Sequence, residues 1–443
     1  MKKYDPFRAL LAIFFHCLFV LIVQAQSNFP YQNMANAASY SEDMGGAAVM
    51  ILQNDSIVFE DYHNGADTSV VTHIFSATKA YWSMIAAAAK EAGLISSYDE
   101  YVAETITEWQ NNALHPGKQL IRIEHLLSLS SGLSQDVLQL QGADAAADDL
   151  YQYTVDSLDL NFIPGTNFQY GPSNYYAFGV LLQRKLNSAG IQQTPLEYLD
   201  SLLFGPIGLE YDSWVHDNAG NPHIPNGCYL TPRNWMKFGK LLLQKGRWEN
   251  TQLVDSTLVE EMFVANGPNP GHGKFLWLNS VDGYGSFPFQ SAPAGSTGGF
   301  IYHDGYTDIV AGMGAGKNRL YIIPSLNAVV LRQTLQEQDN FDDHTFLSYL
   351  FDGLLTTSSS QIFANQDHIQ IYPNPFSDKV IIDGDFSNGQ IKVFDAIGNL
   401  VTDYTAVNSP IKIDLSALAN GVYFVSVRDH FQNPVGHYKI IKQ

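Results

Sequence analysis

Two strand-length apolar runs, Ala47–Gln53 and Ser56–Tyr62, flank the dipeptide Asn54-Asp55. Runs of this length around a two-residue Asn/Asp turn predict a β-hairpin. Lys317–Ile323 and Ala328–Arg332, around Pro324-Ser325-Leu326-Asn327, predict a second hairpin that pairs with the first in one antiparallel sheet. Between them the pattern becomes helical. From Ser76 the chain runs through Met84 and Ile85 into four alanines without Gly or Pro before Gly93, which predicts a closely packed helix in the middle of a domain. Ile121–Leu133 predicts a short helix stopped at Gly132, and a turn holding Tyr170 leads into an apolar helix through Tyr175, Tyr176 and Leu182. Residues 135–160, with Asp144, Asp148 and Asp149, read as a long excursion, either a lid over a site or a solvated loop. Strands at both ends and helices between them predict an α+β domain, an antiparallel sheet flanked by helices plus a helical subdomain.

Past this domain (residues 26–355) the pattern changes. Thr356-Thr357-Ser358-Ser359-Ser360 opens a linker over 356–366. Residues 367–443 then carry short strands at Ile369–Tyr372, Lys379–Ile382, Ile391–Asp395, Ile411–Leu415, Val422–Arg428 and Tyr438–Ile441, with turn signals at Pro373-Asn374-Pro375, Gly398-Asn399 and Asn420-Gly421. This predicts a small all-β sandwich.

The N-terminus has Lys2, Lys3 and Arg8, an apolar run from Ala9 to Val23, and small residues at Val23 and Ala25. It reads as a secretory signal over residues 1–25. The run is shorter than the roughly 20 residues of a membrane-spanning helix, so no stable membrane span is expected. Of the two cysteines only Cys228 lies outside this segment, so no intramolecular disulfide is expected, and Cys228 reads as a small buried apolar residue. With 44 acidic against 24 basic residues and a formal charge of −20, a nucleic-acid partner is not expected. No His/Cys/Asp set has metal-ligand spacing and no phosphate loop appears, so neither metal nor cofactor is expected.

The candidate chemistry starts at Ser76 and Lys79. One helical turn apart, their side chains can meet, and an amine whose pKa is lowered by burial can take the proton of a serine hydroxyl. Three separated stretches extend this pair into a resemblance. Ser76-Ala77-Thr78-Lys79, then Glu124–Ser128 through Ser131-Gly132-Leu133, then Pro164-Gly165 before Phe168-Gln169-Tyr170 occur in the order and spacing of a known family. Gly205–Leu209, the span from Gly227 to Gly239 and the strand ending Tyr321-Ile322-Ile323-Pro324 add to it. From about residue 40 to 350 the chain resembles the serine hydrolase family of class C β-lactamases, penicillin-binding proteins and related esterases.

The resemblance implies a β-lactamase-like fold and an acyl-enzyme on Ser76, with Lys79 and Tyr170 sharing the acid and base work. Tyr170 is expected to need the nearby ammonium, because a free phenol has a pKa of about 10; Tyr175 and Tyr176 are the competing hydroxyls. The oxyanion needs two donors, one of them the Ser76 N–H. Two departures follow. Pro172 stands where the family has an amide, leaving Asn174 two residues later as the candidate for substrate contact. The family's Lys-Thr-Gly or His-x-Gly strand motif has three competitors: Ser296–Phe300, His303-Asp304-Gly305 and Gly312–Gly316. The last leads straight into a strand and makes Gly314 or Ala315 the second donor; His272 and His303 are then expected in loops or at the surface.

In the tail, Tyr372–Phe376, Phe394–Gly398 and Leu418–Phe424 resemble the C-terminal sorting domain of type IX secretion substrates. This implies secretion machinery as a partner and export through the periplasm to the surface or beyond. Three function classes remain at this level: a secreted serine hydrolase of small esters or amides, a β-lactamase or D-amino peptidase, and a non-catalytic binding protein on the same scaffold.

Overall fold

The computed structural model describes residues 29–137, 149–280, 301–302, 304–335, 341–352, 354, 369–384, 389–395, 400–406, 409–428 and 434–443. The expected signal and linker segments lie outside them. The chain divides into two compact units, up to Asp352 and from Gly353 onward.

In the first unit the helices that matter for the site are α1 (Tyr31–Asp43), α2 (Tyr81–Glu91), α3 (Ser173–Ser188), α4 (Pro232–Leu243) and α5 (Asp343–Phe351). The strands of its main sheet are β1 (Gly46–Gln53), β2 (Ser56–Tyr62), β3 (Trp277–Leu278), β4 (Val310–Gly314), β5 (Asn318–Ile323) and β6 (Ala328–Thr334), hydrogen-bonded in the order β2-β1-β6-β5-β4-β3. Both expected hairpins are present, turned at Asn54-Asp55 and at Asn327, all three at positive φ, where Asn and Asp are tolerated. β1 joins them by pairing antiparallel with β6.

The three central strands β1, β6 and β5 are buried along their whole length. Such strands read as continuous apolar runs rather than as alternation, because both faces are covered. On one face Arg332 of β6 donates to Ser41 of α1, and Arg319 and Tyr321 of β5 reach Asp343 of α5. On the other, the missing side chains of Gly312 and Gly239 let the segment just before α2, and α4 itself, approach: a Cβ on Gly312 would stand 3.1 Å from Ala80 Cβ, and one on Gly239 2.6 Å from Val329.

α2 is buried from Tyr81 to Ala89. A helix enclosed on all sides must be apolar all round, which the Tyr-Trp-Ser-Met-Ile-Ala₄ sequence provides. Within that buried stretch Ser83 donates to the Ala80 carbonyl at 2.7 Å. The helix starts differently from expectation: Phe75–Ala80 form a 3₁₀ segment and α geometry begins at Tyr81. The short helix also differs, spanning Ile123–Leu127 and ending at Ser128, with Gly132 (φ 82°) in the turn beyond. Within the acidic excursion, residues 150–156 form a helix that buries Leu150, Tyr151, Thr154 and Val155, so this part is a packed element and not a solvated loop.

Among its described residues the second unit holds seven strands: β7 (Ile369–Tyr372), β8 (Lys379–Gly384), β9 (Gly389–Phe394), β10 (Leu400–Ala406), β11 (Ile411–Asp414), β12 (Gly421–Arg428) and β13 (Pro434–Lys442). They form two sheets, β7-β8-β11 and β10-β9-β12-β13, around a core that includes Val380, Ile391, Val393, Ile413, Val425 and Val427. β10 is the strand missing from the expectation. It lies at a sheet edge, and its Leu400, Asp403 and Thr405 are exposed, so it carries no alternation of buried and polar positions. Among the described residues no helix is long and apolar enough to cross a membrane.

Each unit has its own apolar core. A chain ending near Leu355 is therefore expected to keep its helical circular dichroism and its hydrolase activity while losing delivery to the cell surface. Loss of either property on truncation would make the tail part of the catalytic fold.

Candidate active site

Ser76 is the second residue of the 3₁₀ segment and is half-buried, whereas Ala77, Thr78, Lys79 and Ala80 behind it are buried. In 3₁₀ geometry residues i and i+3 eclipse, so Lys79 stands directly behind Ser76 more strictly than α spacing would place it. Lys79 Nζ donates to Ser76 Oγ at 2.8 Å and to the Pro225 carbonyl at 2.9 Å. The adjacent Ile224 carbonyl takes the Trp82 indole N–H at 2.7 Å, so one short stretch of backbone clasps the start of the helix. Phe75, just before the serine, has φ 48°, a left-handed conformation costing an ordinary residue roughly 1–2 kcal/mol. Its ring is held 4.0 Å from that of His73, which stacks on Tyr229 at 4.3 Å.

No carboxylate faces Lys79 among the groups that move its pKa. Burial alone brings the amine down from 10.5 to about 7. Its Nζ lies 5.3 Å from the ring centre of Tyr170 and 5.2 Å from that of Tyr175.

Tyr170 is brought to this pair by backbone, through the two stretches that looked like isolated motifs. Gln169 N–H donates to Leu129 O, Gly165 N–H to Ser130 O, Asn161 N–H to Gly132 O and Ser134 N–H to Asp159 O, at 2.7–2.9 Å. The Ser-Gly-Leu turn is thus a template for the segment leading to the tyrosine. Gly132 is required there: its φ is 82°, and a Cβ would lie 2.2 Å from Phe162 O. Beyond the tyrosine, Ser173 Oγ donates to Ser134 O at 2.6 Å, fixing the first turn of α3 to the same template.

Burial pushes the Tyr170 phenol up to about 12, against the opposing pulls of the Ser76 hydroxyl and of the Arg319 charge. Arg319 is thus a second cation acting on this phenol, beside the Lys79 amine that stands 5.3 Å from its ring. Tyr175 and Tyr176, the competing hydroxyls, are both fully buried, Tyr175 stacked on Phe275 at 4.1 Å. Asn174 is buried as well, and its Oδ1 has no partner among the described residues.

Gly312–Gly316, the one of the three candidate strand stretches that is wholly described, lies against the turn that carries Ser76. A Cβ on Gly314 would sit 2.1 Å from Ile74 O and 3.1 Å from Ala77 N, so the β4 backbone is pressed against the turn carrying Ser76. Ser296–Phe300 and His303 lie outside the described residues. His272 is not a surface histidine: it is 2% exposed, packed against Phe168 and Trp277, and burial brings its pKa down to about 3. Trp277 in turn stands 5.4 Å from Tyr170, making an aromatic wall behind the phenol. Cys228 is fully buried with its pKa raised by burial, as a structural thiol should be. Among the described residues no group of side chains could hold a metal ion.

Arg319 and Asp343 were missed. Arg319 is 7% exposed and ion-paired with Asp343 at 2.5 Å. An available signal was an arginine inside a strand apolar on both faces, a position where a charge needs a dedicated partner.

Comparison with known proteins gives the family of each part of the chain. Residues 32–342 match the Beta-lactamase family and residues 370–443 the Secretion system C-terminal sorting domain. No curated protein matches the chain. Solved structures with the same fold include a penicillin-binding protein homolog from Caulobacter crescentus (14% identity, TM-score 0.54, covering 72% of this chain and 96% of that one). A family VIII carboxylesterase (15%, 0.54, 72% and 95%) and a D-stereospecific amidohydrolase from Streptomyces sp. (14%, 0.51, 72% and 99%) are others. At these identities the likeness is one of fold, whereas the family match spans most of the chain. This chain belongs to the β-lactamase family of serine hydrolases and carries at its C-terminus a sorting domain that directs it to a secretion system and so to the cell surface or beyond.

Proposed function

We propose that the protein hydrolyses small esters or amides through an acyl-enzyme on Ser76, with Lys79 as the base and Tyr170 as the acid. The observation that carries this is the buried Lys79 amine, 2.8 Å from Ser76 Oγ with a pKa of about 7. As the neutral amine it keeps two hydrogens, one of them on the Pro225 carbonyl, and its lone pair can turn to the serine proton. A phenol with a pKa of about 12 is fully protonated at neutral pH and has a proton to give.

In the first step Ser76 Oγ bonds to the substrate carbonyl carbon as its proton passes to Lys79. The oxyanion is held by the backbone N–H groups of Ser76 and Ala315. The bond to the leaving oxygen or nitrogen then breaks as Tyr170 protonates it, and the tyrosine recovers its proton from the Lys79 ammonium. A water molecule repeats the sequence on the acyl-enzyme, releasing the acid and restoring Ser76.

Pro172 in place of an amide, and Gly312 rather than a cation on the strand beside the serine, favour esters over β-lactams and D-alanyl peptides. Family VIII carboxylesterases on this fold support the same choice. Turnover of p-nitrophenyl esters, nitrocefin and D-alanyl peptides by the protein tests it. Esters are expected to be cleaved fastest; faster nitrocefin turnover would make it a β-lactamase, and no turnover with no fluorophosphonate labelling would make it a binding protein.

A further inference from the structure

The turn joining β4 to β5 is held in an unusual way. All five carbonyls from Gly314 to Asn318 accept a hydrogen bond from a side chain. Arg319 Nη1 donates to Gly314 O and Asn318 O, both at 3.0 Å. Asn318 Nδ2 donates to Ala315 O at 2.8 Å and reaches the His73 carbonyl at 3.3 Å. Arg332 Nη1 donates to Lys317 O at 2.7 Å and Gly316 O at 3.3 Å. The guanidinium of Arg319 is itself fixed by two bonds to Asp343, Nε to Oδ1 at 2.5 Å and Nη2 to Oδ2 at 3.1 Å, and Tyr321 Oη donates to the same carboxylate at 2.6 Å. Burial pushes Asp343 up, but the charge and hydrogen bonds of Arg319 outweigh it and leave the carboxyl below its ordinary value, an anion that anchors the fork.

The position of this fork gives it a consequence for chemistry. Gly314 faces the Ser76 turn, with Ile74 O and Ala77 N against it. Arg319 pairs across the strands with Met313, so it stands on the opposite face of the sheet, where α5 lies. The Gly314 carbonyl and the Ala315 N–H belong to one peptide group. A guanidinium on the carbonyl oxygen draws electron density through the amide and leaves the N–H a stronger donor, while the two-point fork fixes the direction of that N–H.

We infer that Arg319, anchored by Asp343, is a positioning residue of the acyl-transfer site: from behind the sheet it orients and polarises the Gly314–Ala315 peptide so that the Ala315 N–H is ready for the oxyanion. This rests on the acyl-enzyme reading given above. It also accounts for how the site works with glycine at position 312, because positive charge reaches the oxyanion through a peptide rather than from a side chain on β4. The same charge opposes the upward push of burial on the Tyr170 phenol.

The alternative is that Arg319 only braces the sheet, and the two roles differ in what they do to a developing oxyanion. The experiment compares Arg319→Met, Arg319→Lys and Asp343→Asn in the full chain, using a p-nitrophenyl ester and its thiono analogue, in which sulfur replaces the carbonyl oxygen. Sulfur is a weak acceptor, so the preference for the oxo ester reports the strength of the oxyanion donors. Arg319→Met is expected to lower kcat on the oxo ester by about 10- to 100-fold, below the cost of deleting a donor outright. KM should stay within about threefold, and the oxo/thiono ratio should shrink by about the same factor as kcat. Arg319→Lys, which keeps charge but loses the fork, and Asp343→Asn, which frees the fork, should fall between. If Arg319→Met does not fold, the ratio in these two milder variants decides. An unchanged ratio in the folded variants, whether kcat is kept or lost equally on both esters, overturns the inference. If wild type shows no Ser76-dependent turnover at all, it is the hydrolase reading that falls.

Discussion

Ser76→Ala is expected to abolish labelling by a fluorophosphonate probe and to lower ester turnover by about 10⁴-fold or more, the scale on which loss of a nucleophile acts in serine hydrolases. The fold should survive. The substitution removes one half-exposed hydroxyl, and Lys79 keeps its bond to the Pro225 carbonyl. Thermal unfolding should therefore move little while labelling, read by intact mass, disappears. The size of the loss follows from geometry: Ser76 is the accessible member of a segment whose next four residues are buried, so no neighbouring hydroxyl can replace it. Thr78, two residues on, is fully buried and takes the Cys228 N–H on its own hydroxyl. A folded Ser76→Ala protein with undiminished turnover would move the nucleophile elsewhere and remove the basis of the mechanism.

Features written in local pattern were legible before any coordinates. The two hairpins are strand-length apolar runs around residues that tolerate positive φ, and the sheet places them within a residue or two of the expected bounds. The Ser76–Lys79 contact follows from helical spacing, and 3₁₀ geometry only tightens it. What could not be read was anything set by the meeting of distant segments. One charge acting on Tyr170 comes from Arg319, 149 positions further along the chain, and its anchor Asp343 from the helix α5. His272 looked like a loop histidine because its burial is created by Phe168 and Trp277, neither adjacent to it in sequence. The edge strand Leu400–Ala406 failed to show because a bulge at Val401 breaks its alternation: Val401 and Tyr404, which pack against the core, stand three apart rather than two. The Ser-Gly-Leu stretch was recognised by resemblance, but its physical role as backbone template for the tyrosine segment appears only in the hydrogen bonds between the two.

Lys79 and Tyr170 are expected to act as one unit, and pH separates their parts. With its amine brought down to about 7 by burial, Lys79 is an ammonium at pH 5 and cannot accept the Ser76 proton; above pH 8 it is a free amine. The sign is therefore a kcat/KM that rises with pH, with a midpoint near 7, toward a plateau, since this parameter titrates the free enzyme. Tyr170→Phe keeps the ring against Trp277 but loses the proton, so kcat should fall by ~10²–10⁴-fold, the usual contribution of a positioned acid. The midpoint should stay near 7 because the limb belongs to the lysine. Loss of one hydroxyl beside Ser76 should cost at most about 0.5–1.5 kcal/mol of stability, read by thermal unfolding. Lys79→Ala should cost as much activity and also erase the limb. The double variant should be little worse than either single one, since removing either partner already breaks the relay. Two results would contradict this. A limb that persists unchanged in Lys79→Ala would mean that another group titrates. Full activity in Tyr170→Phe with a large loss in Tyr175→Phe or Tyr176→Phe would transfer the acid to a hydroxyl that is now buried, and would require α3 to move for catalysis.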